Sequence, residues 1–164
     1  QIARRRTAFA KAFVWWVKEA LDGSRMQEAS RVLVGLRDFK TFAAPHDDRE
    51  GGGSRSTMVL VEQIAVVSAG DLVLVGVEGS HFLWKMVRRI VGVLVGVGRG
   101  ELPVAEMTTF LTRSSDIPAR LTAPASGLFL ERVYYEGDRR STEWEPATPL
   151  RCETRRKADA DPAA

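Results

Sequence analysis

Two valine-rich stretches, at 57–67 and 72–78, give the chain its clearest apolar pattern. Valine favours the extended backbone of a β-strand, where its branched side chain packs well on a pleated surface. The four residues between the stretches, Ser-Ala-Gly-Asp at 68–71, are typical of a turn. The pattern therefore predicts an antiparallel hairpin.

Apolar residues that recur three and four positions apart predict three helices. The first opens at Ser24 and ends near Gly35, since glycine suits the residue that follows a helix. The second runs from about 82 to 97 with Ser80 as its cap, and the third begins near Pro103. The repeating positions of the first helix are Met26, Ala29, Val32 and Leu33.

The remaining segments complete a prediction of the fold class. Residues 1–6 and 127–135 are typical of strands, the second because it is bulky and rich in β-prone side chains. The order strand, helix, hairpin, helix, helix, strand favours an α+β fold with helices packed on one face of a mainly antiparallel sheet. We expect a loop at 45–56 around the glycines at 51–53, and a loosely ordered, charged and proline-containing tail at 136–164.

Composition places the chain among globular proteins. Its 164 residues are 45% hydrophobic and 27% charged, enough for one domain with a buried core. Lys and Arg number 24 against 21 Asp and Glu, which gives a net charge of +3, and 19 of the 24 cations are arginine. Because a guanidinium keeps its charge and can make two parallel bonds to phosphate, this bias allows an anionic partner without identifying one.

Several classes of function are disfavoured by what the sequence lacks. The lone cysteine, Cys152, rules out an internal disulfide framework, and with no secretory signal visible we expect a cytoplasmic protein. The two histidines, His46 and His81, have no second His or Cys at ligand spacing, so we expect no metal site. The longest apolar run, at 90–97, has eight residues, whereas about twenty are needed to span a bilayer. Because the chain starts at Gln1 and not at Met, we expect it to be a piece of a longer polypeptide.

The second predicted helix carries a basic stripe opposite its apolar side, with no acidic residue between 82 and 100. One interpretation is the solvated face of an ordinary amphipathic helix. The other is a face that something approaches closely, because Gly92 and Gly96 each cost about 1 kcal/mol against alanine inside a helix. A sheet, another helix or a nucleic-acid backbone could lie there. At 100° per residue, the stripe consists of Lys85, Arg88, Arg89, Gly92, Gly96 and Arg99.

Motifs in four places resemble one family. The stretch Gly-Ser-His-Phe-Leu-Trp-Lys-Met-Val-Arg-Arg-Ile-Val-Gly at 79–92, with Val-Gly-Arg-Gly at 97–100, resembles the signature of the tRNA pseudouridine synthase A (TruA-type) family. Residues 26–42 resemble its helix followed by Gly-x-x-Asp-Phe-x-x-Phe, and residues 122–130 its Thr-Ala-Pro and Gly-Leu-Phe-Leu element. Gln1 and Ile2 resemble the end of its Tyr-x-Tyr-x-Ile strand, so the resemblance covers roughly residues 1–135.

The resemblance implies an isomerase that converts uridine to pseudouridine in the tRNA anticodon stem-loop, at positions 38 to 40. Such enzymes need no cofactor or metal and usually act as homodimers. The uridine is flipped out of the stem, its glycosidic bond breaks, and the uracil turns and rejoins the ribose through C5. An aspartate is the catalytic nucleophile.

That aspartate belongs to a Gly-Arg-(Thr/Ser)-Asp motif, which does not occur in these 164 residues. The chain therefore resembles the C-terminal half of the pseudouridine synthase fold, with the N-terminal half of the same enzyme as its expected partner. We predict that the chain is inactive alone. The alternative is a non-catalytic RNA-binding or dimerisation module.

The resemblance also assigns roles to individual residues. Arg88 matches the family's cleft arginine, which pairs with the catalytic aspartate and lowers the pKa of that carboxyl. Leu128 matches the apolar residue that packs against the target base, and Phe129 follows it. The stripe makes Lys85, Arg89 and Arg99 candidate phosphate contacts. One departure is Leu-Arg at 36–37, where the family more often has histidine before the aspartate.

Overall fold

A five-stranded sheet with helices on one face forms the frame of the molecule. The computed structural model describes residues 1–6, 8–44, 56–141 and 143–148. The strands are β1 (Ile2–Ala3), β2 (Trp15–Trp16), β3 (Gly35–Asp38), β4 (Met58–Ala69) and β5 (Leu72–Gly79), in the spatial order β2-β1-β5-β4-β3. The helices are α1 (Gly23–Ser30), α2 (Met86–Gly98), α3 (Glu106–Thr112) and α4 (Ile117–Arg120), with 3-10 turns at Arg31–Leu33 and Lys40–Phe42.

The predicted hairpin is confirmed as the pair β4 and β5. The two strands pair antiparallel outward from Ala69 and Leu72, with a β-bulge between Val61 and Gln63. Gly70 allows the tight turn because it takes a φ of +59°, which glycine adopts without steric penalty. β3 and β1 flank the hairpin in antiparallel register, and the β1–β2 pair is parallel.

The helices bury their apolar sides on one face of the sheet, which confirms the predicted α+β class. In α2, Ile90, Val93 and Leu94 are fully buried, and each such side chain contributes about 1.5–3 kcal/mol. Alternate residues of β5 face this core, while Leu72 and Leu74 face the other side of the sheet. The smaller cluster on that second face consists of Ala3, Ala10, Val14, Leu72 and Leu74.

The chain around Gly35 differs from the prediction. α1 ends at Ser30 and a 3-10 turn follows, so the helix is over before Gly35 is reached. Gly35 has a φ of +98° and opens β3, which pairs with β4. Glycine after an apolar repeat indicates a residue with positive φ. Such a residue can start a strand as well as end a helix, so the pattern alone could not place the end of α1.

The helix predicted from 82 begins instead at Met86. Lys85 has a φ of +61°, and a residue in this left-handed conformation cannot lie inside a right-handed helix, so α2 starts only after it. The Ser80 hydroxyl lies 3.0 Å from Nδ1 of His81 and does not cap α2.

The third helix also starts later than predicted. α3 begins at Glu106, and the carbonyl of Pro103 accepts the Glu106 N–H at 3.1 Å in the turn before it. α4, which has Pro118 in its first turn, was missed because four residues are too few for an apolar repeat.

Both terminal strand predictions need correction. Within 1–6 the strand covers Ile2–Ala3, and no residue of 127–135 belongs to a strand. Leu130 and Tyr135 are 79% and 77% exposed. A strand needs a continuous ladder of hydrogen bonds to a neighbouring strand. Within the described part of the chain no strand pairs with this segment, although the Gln1 nitrogen donates to the Gly127 carbonyl.

The predicted loop at 45–56 falls outside the described residues except for Ser56, as do its glycines, His46 and Cys152. Within the described ranges, no helix is long and apolar enough to cross a bilayer.

Candidate active-site cleft

Three of the predicted site residues, Arg88, Leu128 and Phe129, line one cleft. The cleft lies between the middle of β5, the first turns of α2 and the segment at 123–129, and its cavity measures about 100 Å³. Lys85, Arg89 and Arg99 do not line it. Other contributions to the lining come from Ile2, Trp15, Val75, Gly76, Val91, Trp144 and Glu145.

Arg88 is fixed in the cleft by a reciprocal contact with Ala123. Its Nε–H donates to the Ala123 carbonyl oxygen at 2.7 Å, and the Ala123 N–H donates to the Arg88 carbonyl oxygen at 3.0 Å. The neighbouring Ile90 is fully buried in the core, so the helix that carries Arg88 is itself anchored. The guanidinium is therefore held at one edge of the cleft.

The rest of this guanidinium is available for an anion. Among the described residues, neither Nη1 nor Nη2 has a hydrogen-bond acceptor, and no carboxylate lies within the 4.0 Å of an ion pair. Glu131 and Glu145 line the same cleft but are not paired with Arg88. Arg88 thus presents a positive charge to the cleft that no described acid neutralises.

Gly92 explains how Ala123 comes so close to α2. A Cβ at Gly92 would overlap the carbonyl oxygen of Leu121 and lie 3.3 Å from the Ala123 nitrogen. At Gly96 the nearest atom to such a Cβ would be Cδ1 of Leu102, at 3.2 Å. Of the interpretations left open for the two glycines, a close approach by the protein's own chain is the one that the structure supports.

The apolar wall of the cleft is tied to the start of the chain. Leu128 and Phe129 are 48% and 37% exposed, and they follow Gly127, which has a φ of +85°. The Gln1 nitrogen donates to the Gly127 carbonyl at 2.8 Å, and the Trp15 N–H donates to the Gln1 carbonyl at 3.0 Å. A hydrogen bond to Gln1, which in turn accepts from Trp15 of β2, therefore positions the wall.

Arg89 lies in the fold and not in the cleft. Its Nη1 donates to the carbonyls of Ala43 at 2.5 Å and Thr41 at 3.3 Å, and burial lowers the pKa of the Arg89 guanidinium. Its Nε is buried without a partner among the described residues. The Arg89 side chain thus holds the 3-10 turn at Lys40–Phe42 against α2.

Arg99 and Lys85 do not line the cleft either. Arg99 pairs with Glu19 at 2.9 Å and with Glu101 at 3.6 Å, so acids from flanking segments neutralise a cation that looked unpaired along the helix. Lys85 is exposed just before the first turn of α2. The cations of the predicted stripe therefore do not form one surface, because each of them has different neighbours.

Gly76 and Trp144 are among the cleft residues that were not predicted from the sequence. Gly76 interrupts the valines of β5, and glycine inside a strand often marks a place where another group approaches the backbone. The sequence therefore did contain an indication that Gly76 contacts something closely. Trp144 lies in a segment with no periodic pattern, and nothing local indicates its position. In the described part of the chain, no three His, Cys, Asp or Glu side chains cluster closely enough to hold a metal ion.

Comparison with known proteins identifies the family. A family model described as tRNA pseudouridine synthase matches residues 29–136. The tRNA pseudouridine synthase A of Syntrophotalea carbinolica is 41% identical over 130 residues, which cover 79% of this chain and 50% of that protein. The tRNA pseudouridine synthase A of Geobacter sulfurreducens is 37% identical over 131 residues, covering 80% and 52% of the two chains. The chain spans about half the length of these curated relatives. With a family model that matches well over half of its residues, the chain belongs to the tRNA pseudouridine synthase family.

Proposed function

We propose that this chain forms one side of the active site of an enzyme that isomerises uridine to pseudouridine in the tRNA anticodon stem-loop, at positions 38 to 40. The catalytic aspartate comes from residues outside these 164, in the N-terminal half of the same enzyme. The observation that carries the proposal is Arg88, fixed by Ala123 in a cleft where no described carboxylate pairs with it.

Arg88 would bind and orient the nucleophile. A guanidinium that already donates from Nε keeps its two terminal nitrogens for a carboxylate, and such a bond fixes the direction of the carboxylate as well as its position. The positive charge also favours the ionised form, so it holds the pKa of the incoming carboxyl below its ordinary value. An ionised, oriented carboxylate is what nucleophilic attack requires.

Leu128 and Phe129 would receive the flipped uracil. A base that leaves the stack loses its neighbours, and apolar side chains replace them. In the reaction the bond between ribose C1′ and uracil N1 breaks, the uracil turns, and a bond from C1′ to C5 forms. C5 loses its proton and N1 gains one, so the composition does not change. Because the reaction is an isomerisation, it needs no oxidant, reductant or cofactor.

The remaining partners follow from the same proposal. Of the three cations predicted to contact phosphate, we retain Lys85, because it is exposed near the cleft end of α2, whereas Arg89 and Arg99 are bonded within the fold. The tRNA anticodon stem-loop is the substrate, the enzyme acts as a homodimer, and its location is the cytoplasm, where tRNA is modified.

The test measures tritium release from tRNA labelled at C5 of uridine, since the isomerisation expels that hydrogen. We expect the purified 164-residue chain to release none, with the Geobacter sulfurreducens tRNA pseudouridine synthase A as the active control. Turnover by the chain alone would overturn the proposal that the catalytic aspartate comes from outside these 164 residues.

Binding is measured in parallel. The chain should bind tRNA at low salt, with an affinity that falls as salt is added because phosphate contacts release counterions. If the chain has no affinity for tRNA at low salt, both the enzyme proposal and the alternative of a non-catalytic RNA-binding module are contradicted.

A further inference from the structure

The segment after the apolar wall crosses back over the sheet and is pinned at both ends. We call residues 134–141 and 143–148 the strap. Arg140 bonds to the carboxylates of Glu62 on β4 and Glu78 on β5, and its guanidinium carbon lies 5.4 Å from the centre of the Tyr134 ring. At the other end, the Gln1 side-chain amide donates to the Thr148 hydroxyl at 2.7 Å and accepts from the Thr148 N–H at 3.2 Å.

Between these anchors, the Trp144 indole packs against Gly76 of β5. We call the space above Gly76 that the ring fills the seat. A Cβ at Gly76 would overlap the six-membered ring of the indole, so the ring rests directly against the backbone of β5. Glycine inside a strand weakens the strand. At position 76 the missing side chain leaves room for a flat ring to pack against the backbone. Gly76 and Trp144 line the same cleft as Arg88 and Leu128.

The indole fills this space without satisfying its own polar atom. Nε1 of Trp144 is buried and has no hydrogen-bond partner among the described residues, although buried tryptophan N–H groups usually find one. With the ring in place the cavity measures about 100 Å³. This closed arrangement leaves the indole N–H buried without a described partner, and that cost favours an open state in which water can bond to the N–H.

We propose that the strap is an autoinhibitory element, in which Trp144 occupies the seat that a flipped pyrimidine takes. The inference rests on the proposed function, because it assigns the ligand class of the same cleft, a planar nucleobase. Substrate RNA binds when the strap lifts and the indole leaves Gly76. The apparent affinity is then the intrinsic affinity reduced by the fraction of molecules that are open.

The experiment compares the affinity of the 164-residue chain and its variants for a fluorescently labelled RNA hairpin with one unpaired uridine, measured by anisotropy. Trp144→Ala empties the seat, and Arg140→Ala removes an anchor that lies outside the cleft. Arg139→Ala is the matched control, since it removes the same charge from an exposed neighbour. If the open fraction is about 1–10%, both test variants bind about 10- to 100-fold more tightly than the control.

The outcomes separate the strap from the proposed function. Binding by the wild type that neither test variant strengthens overturns the strap, and weaker binding by Trp144→Ala assigns the indole to the wall of the base site instead. Failure of all four proteins to bind the hairpin overturns the proposed function together with the strap. A gain in Arg140→Ala cannot come from extra space in the cleft, so it supports release of the strap specifically.

Discussion

Two hydrogen bonds join Arg88 to Ala123, and no described residue accepts a bond from the two terminal guanidinium nitrogens. A guanidinium has five N–H donors, and the bond from Nε employs one of them. The others can meet a carboxylate through two parallel bonds, which sets its orientation for attack. Removal of Arg88 would lose that orientation, while tRNA attraction would lose one positive charge of many.

Under the proposed function, we expect Arg88→Ala in the complete enzyme to lower kcat by about 100-fold or more, because a misplaced reactive group can cost that much. The Kd for tRNA should rise less than about threefold. Arg88→Lys should recover little of the rate, since one ammonium cannot bond to Ala123 and also hold a carboxylate at two points. Tritium release gives the rate and filter binding the affinity, and equal losses in both contradict the assigned role.

The sequence separates these side chains only in part. Arg88, Leu128 and Phe129 could be placed in one site from motif resemblance, and the structure brings them together. Helical angles place Arg89 and Arg99 on the same side of the helix as Arg88. The angle of a side chain does not reveal which other part of the chain packs against it. Their partners come from Ala43 and Glu19, which are distant in the sequence.

At the scale of elements, the cleft depends on how closely the chain at 121–123 approaches α2. Gly92 permits that approach by leaving room for the Leu121 carbonyl. Gly96, one turn further along, faces the flexible end of the Leu102 side chain. The two glycines therefore share a spacing and a helix but differ in whether the neighbouring atom can move.

We expect Gly92→Ala to lower the free energy of unfolding by about 1–3 kcal/mol, because the new methyl group displaces backbone and outweighs the better helix propensity of alanine. Gly96→Ala should lie within about 1 kcal/mol of the wild type, on the stabilising side if Leu102 moves aside. Urea unfolding followed by circular dichroism measures both. Similar losses in the two variants would mean that the crossing at 121–123 does not depend on Gly92.

Elements with local partners were predictable, and those with remote partners were not. The hairpin of β4 and β5 needs a turn and two adjacent strands, all of which are visible in one stretch of sequence. The segment at 127–135 has the same β-prone composition, yet no strand of the described chain pairs with it. Composition gives a preference for extended structure, and only the tertiary arrangement decides whether a partner is present.

At the scale of the whole molecule, both ends of the described chain meet behind the apolar wall. Gln1 bonds through its backbone to Gly127 and Trp15, and through its side chain to Thr148. Contacts between residues more than 100 positions apart carry no signal in a single sequence, which is why the cleft's full lining could not be predicted. They also make Gly127 a point where the wall, the first strand and the strap depend on one another.

Gly127 and Gly137 form a matched pair that isolates this dependence. Both have positive φ, +85° and +88°, so alanine at either position carries a backbone penalty of about 1–2 kcal/mol. A Cβ at Gly137 meets nothing within 4 Å, whereas at Gly127 it would lie 2.6 Å from the Gln1 carbonyl oxygen and 3.0 Å from the Trp15 nitrogen. We therefore expect Gly127→Ala to lose about 1–3 kcal/mol more than Gly137→Ala in urea unfolding. Hydrogen exchange should accelerate at the Trp15 amide in Gly127→Ala alone, because its acceptor on Gln1 is pushed away. Equal losses, with the Trp15 amide unchanged, would show that the wall stands without support from the first strands.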